Sequence, residues 1–495
     1  MTAPEDQRSP EVVRATAGYL RSWLATQAAH RRVPGVQAAV RCGGELVLSA
    51  AVGVADTTAG TPLTTRHLFS VASHSKTFTA TAVLQLVDAG RLRLDDPIGE
   101  HVPELAAAGS PIARATLREL LGHQAGTIRD GALADFWQLE TPFPDRAGVV
   151  AEVLRSGAVH GRNEHFKYSN TGYALVGLAV EAVTGTSYAD HLHRAVLEPL
   201  GLVRTTADHE PGRAGEYAAG HTALLLGEHD RLPLGHTPTG ALAPATGVRS
   251  TAEELSAFAA AALVHGDERL LSADAQRVMQ RLESVVTAYG TEIGRYGLGV
   301  ELVTVGDRHL VGHSGGWPGQ ITVTLADPTD GLVVSVLTNA VDGPADDLAR
   351  GLVALVDVAL RPRVAVPPPP ADAPPPSSFR GRFAGLWGLL DVVELGGRLV
   401  LVRPTLPQPL PGVEELEIVD ASTLRVAAQP GFGAAGELVH LERDAAGRVV
   451  SLRLAGVAYR PVAEFLRRRA RTVATTAQSA ARPSTPRSSS SRLRP

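Results

Sequence analysis

At 495 residues the chain is long for a single core, and 44% hydrophobic with 20% charged residues is the balance of a soluble globular protein of two or more domains. The formal charge of −4 is uneven: residues 467–495 hold eight Arg and no Asp or Glu, which leaves −12 on the remainder and argues against nucleic-acid binding. One cysteine, Cys42, excludes an internal disulfide framework, and no run approaches ~18 apolar residues, so no membrane span is expected. The start, MTAPEDQRSPEVV, is acidic and lacks the apolar stretch of a secretory signal, so a cytoplasmic location is expected.

Residues 10–31 read as an opening helix. Two strands follow, GVQAAVR and ELVLSAAVGVA, around Cys42-Gly43-Gly44, where glycine relieves the steric cost of positive φ. A helix is expected from about Val71 to Ala89, stopping at Gly90, and another over 171–184, closed by Gly185. In RSTAEELSAF, Ser250 and Glu253 stand at capping-box spacing before an apolar run. YGLGVELVTV, HLVGHSGG, QITVTLADP and GLVVSVLTN then read as successive strands. Strands first, helices in the middle and strands last suit an α+β domain over residues 1–360, its sheet closed by both ends.

Eight prolines between residues 362 and 376 break this pattern and predict a stiff extended spacer over 361–378. Residues 379–466 are strand-like, with hairpins at ELGGRLVLVR and RDAAGRVVSLRL, and predict a small all-β, barrel-like module. The tail 467–495 lacks a core-forming pattern and is expected to be disordered, solubilising rather than polyanion-binding.

Within FSVASHSKTFTA one residue type is out of place. The chain has 45 arginines and two lysines, Lys76 and Lys167. Arginine stays protonated in proteins, whereas a buried lysine can lose its proton. Lys76 follows Ser73 by three positions, which puts both on one helical face at an N-terminus that favours developing negative charge. A serine hydroxyl becomes a nucleophile when a neighbouring base takes its proton, and a desolvated Lys76 can be that base.

Two further segments give this weak motif its company: KYSNTGYALVG, with Tyr168, Ser169 and Asn170, and LVGHSGGWPG, with His313, Ser314, Gly315, Gly316 and Trp317. The order SxxK, YxN, HxG resembles the serine β-lactamase and penicillin-binding protein superfamily. It looks closest to its class C branch of β-lactamases, D-alanyl-D-alanine carboxypeptidases, family VIII esterases and D-aminopeptidases. The resemblance covers roughly residues 15–360. It implies a β-lactamase-like fold and a covalent acyl-enzyme on Ser73, with Lys76 and Tyr168 sharing the proton. It also implies that Asn170 contacts Lys76 and the substrate, and that His313 sits on an edge strand reaching towards Tyr168 and the substrate. The backbone N–H groups of Ser73 and Gly316 would form the oxyanion hole, with Gly315 and Trp317 beside the substrate. Which of Lys76 and Tyr168 is the working base is left open. The C-terminal module resembles the lipocalin-like domains of similar hydrolases.

Histidine stands where many β-lactamases have lysine, which favours a carboxylesterase first, a D-amino-acid peptidase or amidase second and a β-lactamase third. A non-catalytic binding protein on the same fold is the rival from another class. Trp317 reads either as a pocket wall or as a cap on the sheet edge, and Ser169 as a spacer. Lys167 reads either as a solvated charge or as a substrate contact. Gly312-His313-Ser314-Gly315-Gly316 also matches a nucleophile elbow, but ITVTLADP after it alternates like a strand where the elbow demands a helix. His160/His165 and His191/His193 lack metal-site company, so no metal or organic cofactor is expected. The expected partner is a small-molecule ester or amide, with no nucleic acid, no membrane, and a homo-oligomer left open.

Overall fold

The computed structural model describes residues 10–266, 268–361, 364–428 and 433–480. The chain divides after Arg361 into two compact units. In the first, among the described residues, nine strands form one antiparallel sheet. Its early members are β1 (Gly35–Cys42), β2 (Glu45–Asp56) and β3 (Thr61–Pro62). Short strands β4 (Phe69–Ser70), β5 (Gly220–His221), β6 (Pro233–Leu234) and β7 (Arg249–Ser250) pair outside it, β4 with β7 and β5 with β6. The late members are β8 (Ser284–Ala288), β9 (Thr291–Tyr296), β10 (Glu301–Val305), β11 (Arg308–Trp317), β12 (Gln320–Ala326) and β13 (Val333–Thr338). The order β3-β2-β1-β13-β12-β11-β10-β9-β8 joins the two ends of the unit, with Val36 opposite Thr338. The expected α+β architecture holds.

Every residue of β13 is buried, as befits a central strand without polar alternation. The terminal helices Pro10–His30 and Ala345–Leu360 pack on each other. Gly351 makes that approach feasible, since a Cβ there would lie 2.3 Å from the Trp23 ring. The intervening helices lie between β3 and β8, and one apolar core runs through them, from Phe78 and Phe258 to Leu337.

Three local expectations shift. The helix expected from Val71 begins as a 3-10 turn at Ala72–His74 and becomes α-helical only over Ser75–Asp88, ending before Gly90 at φ +67°. The capping residue of Ala252–Leu263 is Thr251, which accepts from Glu254 N at 3.2 Å, not Ser250. Ser250 is held by β7 and its hydroxyl meets Thr205 Oγ1 at 2.8 Å. The hairpin β8–β9 was not expected at all.

In the second unit, among the described residues, eight antiparallel strands between Gly381 and Pro461 close a barrel around Phe383, Val392, Leu401, Leu424 and Leu452. Both predicted hairpins are there: Leu395 faces Arg398 across Gly396-Gly397, and Glu442 faces Ser451. The tail expected to be disordered from 467 is instead helical over Val462–Ala480. Glu464 binds Arg467 and Arg468 one turn on, each at 2.7 Å, an i,i+3 and i,i+4 pattern that favours helix. The rest of that tail, 481–495, lies outside the described residues.

Candidate active site

The turn that carries Ser73 is fixed from both sides. Val71 N–H donates to Val248 O at 3.0 Å, and Ser75 Oγ receives Val248 N–H at 2.9 Å while donating to Ala72 O at 2.7 Å. Ala72 is held at φ +48°, a left-handed conformation that costs a non-glycine residue about 1 kcal/mol or more and persists only where its surroundings enforce it. Strand β11 lies against this turn. A Cβ on Gly315 would come within 2.2 Å of Val71 O, so only glycine lets the two backbones meet.

Ser73 Oγ accepts a hydrogen bond from Tyr168 Oη at 2.8 Å and lies 3.2 Å from Lys76 Nζ. Lys76 is fully buried, and its Nζ donates to Asn170 Oδ1 at 2.7 Å and to Ala245 O at 2.9 Å. Among the described residues no carboxylate touches it. The nearest support is indirect: Asn170 Nδ2 donates to Asp130 Oδ1 at 2.6 Å. Burial drives the Lys76 amine well below its ordinary range, with Asp130 opposing this and Arg129 adding to it. A neutral amine has two N–H donors and one lone pair. The two carbonyl oxygens take two N–H groups, so when the amine is neutral its lone pair is left for the Ser73 hydroxyl.

Burial acts on Tyr168 in the other direction, raising its phenol above the usual range, with the Ser73 bond opposing and the Glu301 charge adding. Burial thus favours the neutral form of both groups, the amine of Lys76 and the phenol of Tyr168. Tyr168 is positioned by the His123 ring, centroid to centroid 4.3 Å. Ser169, expected as a spacer, caps the helix Asn170–Thr184 by accepting Gly172 N–H at 2.8 Å, and it donates to Ile128 O at 2.6 Å. Lys167 fastens its backbone to His123 O at 2.8 Å, and its side chain makes no ion pair among the described residues.

The profile of the family described as Beta-lactamase matches residues 20–358. The chain belongs to that family. Penicillin-binding protein 4 of Amycolatopsis lactamdurans is 31% identical over 350 residues, covering 68% of this chain and 89% of that protein. The solved structure of SurE with D-Leu aligns over 91% of this chain and all of that one, with TM-score 0.56 and 26% identity. The D-amino acid amidase of Ochrobactrum anthropi SV3, solved with D-phenylalanine, aligns over 65% of this chain and 91% of that one, with TM-score 0.56 and 27% identity. As a member of this family the chain is a serine hydrolase.

The third motif is placed differently from expectation. In this family member β11 is interior to the sheet, between β10 and β12, not an edge strand. The register with β10 ends at Gly312 opposite Glu301, however, so His313–Trp317 runs past it. His313 turns to Tyr296, not Tyr168: Nε2 and Tyr296 Oη are 2.8 Å apart, and Nδ1 lies 2.5 Å from Ser314 O. Burial lowers its pKa to about 3, so the imidazole is neutral. A Cβ on Gly316 would meet only Ile321 Cδ1, at 3.6 Å, which leaves open space beside that residue.

Trp317, expected beside the substrate, is buried. It stacks on Phe143 at 5.5 Å, and the Arg249 guanidinium lies 4.5 Å over its ring, so it is packed in the core. The nucleophile-elbow reading fails on geometry, because Ser314 lies in mid-strand and its hydroxyl donates to Glu301 at 2.7 Å. His160, Glu164 and His165 gather their ligand atoms within 4.8 Å at an exposed position. Sequence reading missed Asp130, the Ala245 carbonyl, His123, Tyr296 and Glu301.

Proposed function

We propose that Ser73 is acylated by the carbonyl of a D-amino-acid amide or short D-peptide, and that water then releases the acid. The observation that carries the acyl-enzyme part is Lys76, buried with two carbonyl acceptors and one hydroxyl around its nitrogen. In acylation the Ser73 proton passes to Lys76 Nζ as Oγ bonds to the carbonyl carbon. The proton then passes through Tyr168 to the leaving nitrogen as the C–N bond breaks. In deacylation the same pair takes a proton from water. The carbonyl oxygen would rest on the backbone N–H groups of Ser73 and Gly316, the latter beside the open space already described. Asn170 holds Lys76 and presents its amide to the substrate.

The choice of acyl group follows the relatives. A similar solved structure is that of a D-amino acid amidase and another, SurE, holds D-Leu, and this moves the D-amino-acid reading ahead of the carboxylesterase favoured by His313 alone. An ester of the same acid would pass through the same intermediate. The test is a matched set: D- and L-alanine p-nitroanilide, p-nitrophenyl acetate and nitrocefin, with intact-mass detection of the adduct. Cleavage of the D-anilide in preference to the L form, with the adduct lost in Ser73→Ala, is the expected result. Turnover of the acetate with neither anilide cleaved would return the reading to an esterase, and an adduct persisting in Ser73→Ala would remove Ser73 as nucleophile.

A further inference from the structure

A cleft of about 660 Å³ is lined by Tyr168 together with Phe166, Ile293, Tyr296 and Glu301. Its other charges are matched. Arg295 is bound by Glu292 at 2.7 Å, and Arg350 by Asp346 at 2.8 and 2.9 Å. Glu301 is not. It accepts a hydrogen bond from the Ser314 hydroxyl at 2.7 Å, and its nearest basic neighbour is His313 Nδ1 at 3.5 Å, on an imidazole that burial keeps neutral. The Glu301 side chain is 32% exposed, so it faces the cleft and is not sealed behind it. Its charge reaches the catalytic group, opposing ionisation of Tyr168 and favouring the protonated form of Lys76.

Since Tyr168 hands the proton to the departing atom, the cleft at its side receives the leaving group. We infer that Glu301 is a specificity-determining residue which selects substrates whose leaving group carries a positive charge, an ammonium within a side-chain length of the scissile bond. This rests on the acyl-enzyme reading of Ser73 and does not require the acyl group to be a D-amino acid. A cation seated there also cancels a negative charge that holds Tyr168 protonated, so recognition and proton relay reinforce each other.

The test uses two thioesters of one acyl group and nearly one shape: acetylthiocholine, with a cationic leaving thiol, and S-(3,3-dimethylbutyl) thioacetate, its neutral isostere. A quaternary ammonium avoids the S-to-N acyl migration that a primary amine would undergo. In the full-length protein at low salt, kcat/KM favours the cationic ester by about tenfold, and the preference shrinks at about 1 M salt as an exposed charge is screened. In Glu301→Gln, which keeps an acceptor for Ser314, the ratio falls to near one, whereas Glu301→Asp retains part of it. A wild-type ratio near one, or a Glu301→Gln ratio equal to wild type, overturns the assignment. Absence of a Ser73 adduct with both thioesters and with D-alanine p-nitroanilide refutes the acyl-enzyme reading itself, a result separable by mass from a mere loss of charge preference.

Discussion

Replacing Lys76 by methionine separates what this residue does for catalysis from what it does to the fold. In the folded chain burial favours the neutral amine. In the unfolded chain the same amine has a pKa of about 10.4 and is protonated at neutral pH. If folding strips that proton at pH 7, the wild type forgoes about 4–5 kcal/mol, from 1.36 kcal/mol for each of the three to four pH units between 7 and the unfolded pKa. Methionine has similar length and no charge, so it removes this cost. Against the gain stands the loss of two hydrogen bonds, to Asn170 Oδ1 and Ala245 O, at about 1–2 kcal/mol each.

The net expectation is a variant at least as stable as wild type at pH 7, by about 1–2 kcal/mol, with kcat/KM down at least about a hundredfold. The sign with pH is the decisive feature. A folded amine pKa below the unfolded one means that the unfolded state holds the extra proton, so wild-type stability rises with pH up to about 10 while Lys76→Met does not share that rise. The advantage of the variant therefore shrinks from pH 7 to pH 9.5. Urea unfolding followed by tryptophan fluorescence reports this, since Trp23, Trp137 and Trp317 all lie in the first unit and Trp387 is the exception. A difference between variant and wild type that is constant across this pH range would mean that Lys76 is charged in both states, and the proton-transfer role would go with it.

Lys76→Arg keeps a cation but not a removable proton, and should lose about a hundredfold or more in kcat/KM. Gly315→Ala pushes a methyl to 2.2 Å from Val71 O and should cost about 1–3 kcal/mol, with a fall in kcat larger than any change in KM, because it is the turn carrying Ser73 that must move. His74 and His313 are fully buried with pKa values lowered to about 3, chiefly by burial, and His236 to about 4. Folded values below the unfolded one of about 6.5 give stability that is present above that pH and lost as pH falls. The first unit should weaken by about 4 kcal/mol per pH unit between pH 6 and 4, and a urea midpoint that stays flat there would refute the neutral assignment of these rings.

Much of this architecture was legible because it depends on pattern. Alternating runs such as QITVTLADP, and glycines at Gly90 and Gly185, mark elements whatever their surroundings. Ser73, Lys76, Tyr168 and Asn170 were legible because their spacing is local to two helix starts. What escaped depends on approach through space. Ala245 contributes a backbone carbonyl, which no side-chain pattern announces. Tyr296 lies on the β8–β9 hairpin, and it takes the His313 ring that the sequence reading had aimed at Tyr168. The capping box slipped by one residue because Ser250 is claimed by β7, while the Glu254 carboxylate is drawn off to Arg204 and Thr205 N–H groups. Local propensity proposed a partner and tertiary contact outbid it.

The shortage of lysine becomes intelligible when three buried cations of the first unit are set side by side. Arg308 is ringed by Asp327, Asp330 and Asp357 at 2.6–3.1 Å, and its pKa is pushed up. Arg249 lies on the Trp317 face with one bond to Thr237 O at 3.0 Å; its pKa falls to about 10, which still leaves it charged at neutral pH. Lys76 is as deeply buried as Arg249 and is surrounded by carbonyl and hydroxyl oxygens, with no carboxylate in contact among the described residues. Burial with a counter-ion fixes a charge, and burial of arginine without one still does not remove it. Burial of an amine without a counter-ion favours its neutral form. Among these positions lysine stands at the one where a permanent charge would hold the serine hydroxyl idle, and the Asp130 carboxylate, the first of the charges that favour the protonated form, is held one residue away, behind Asn170.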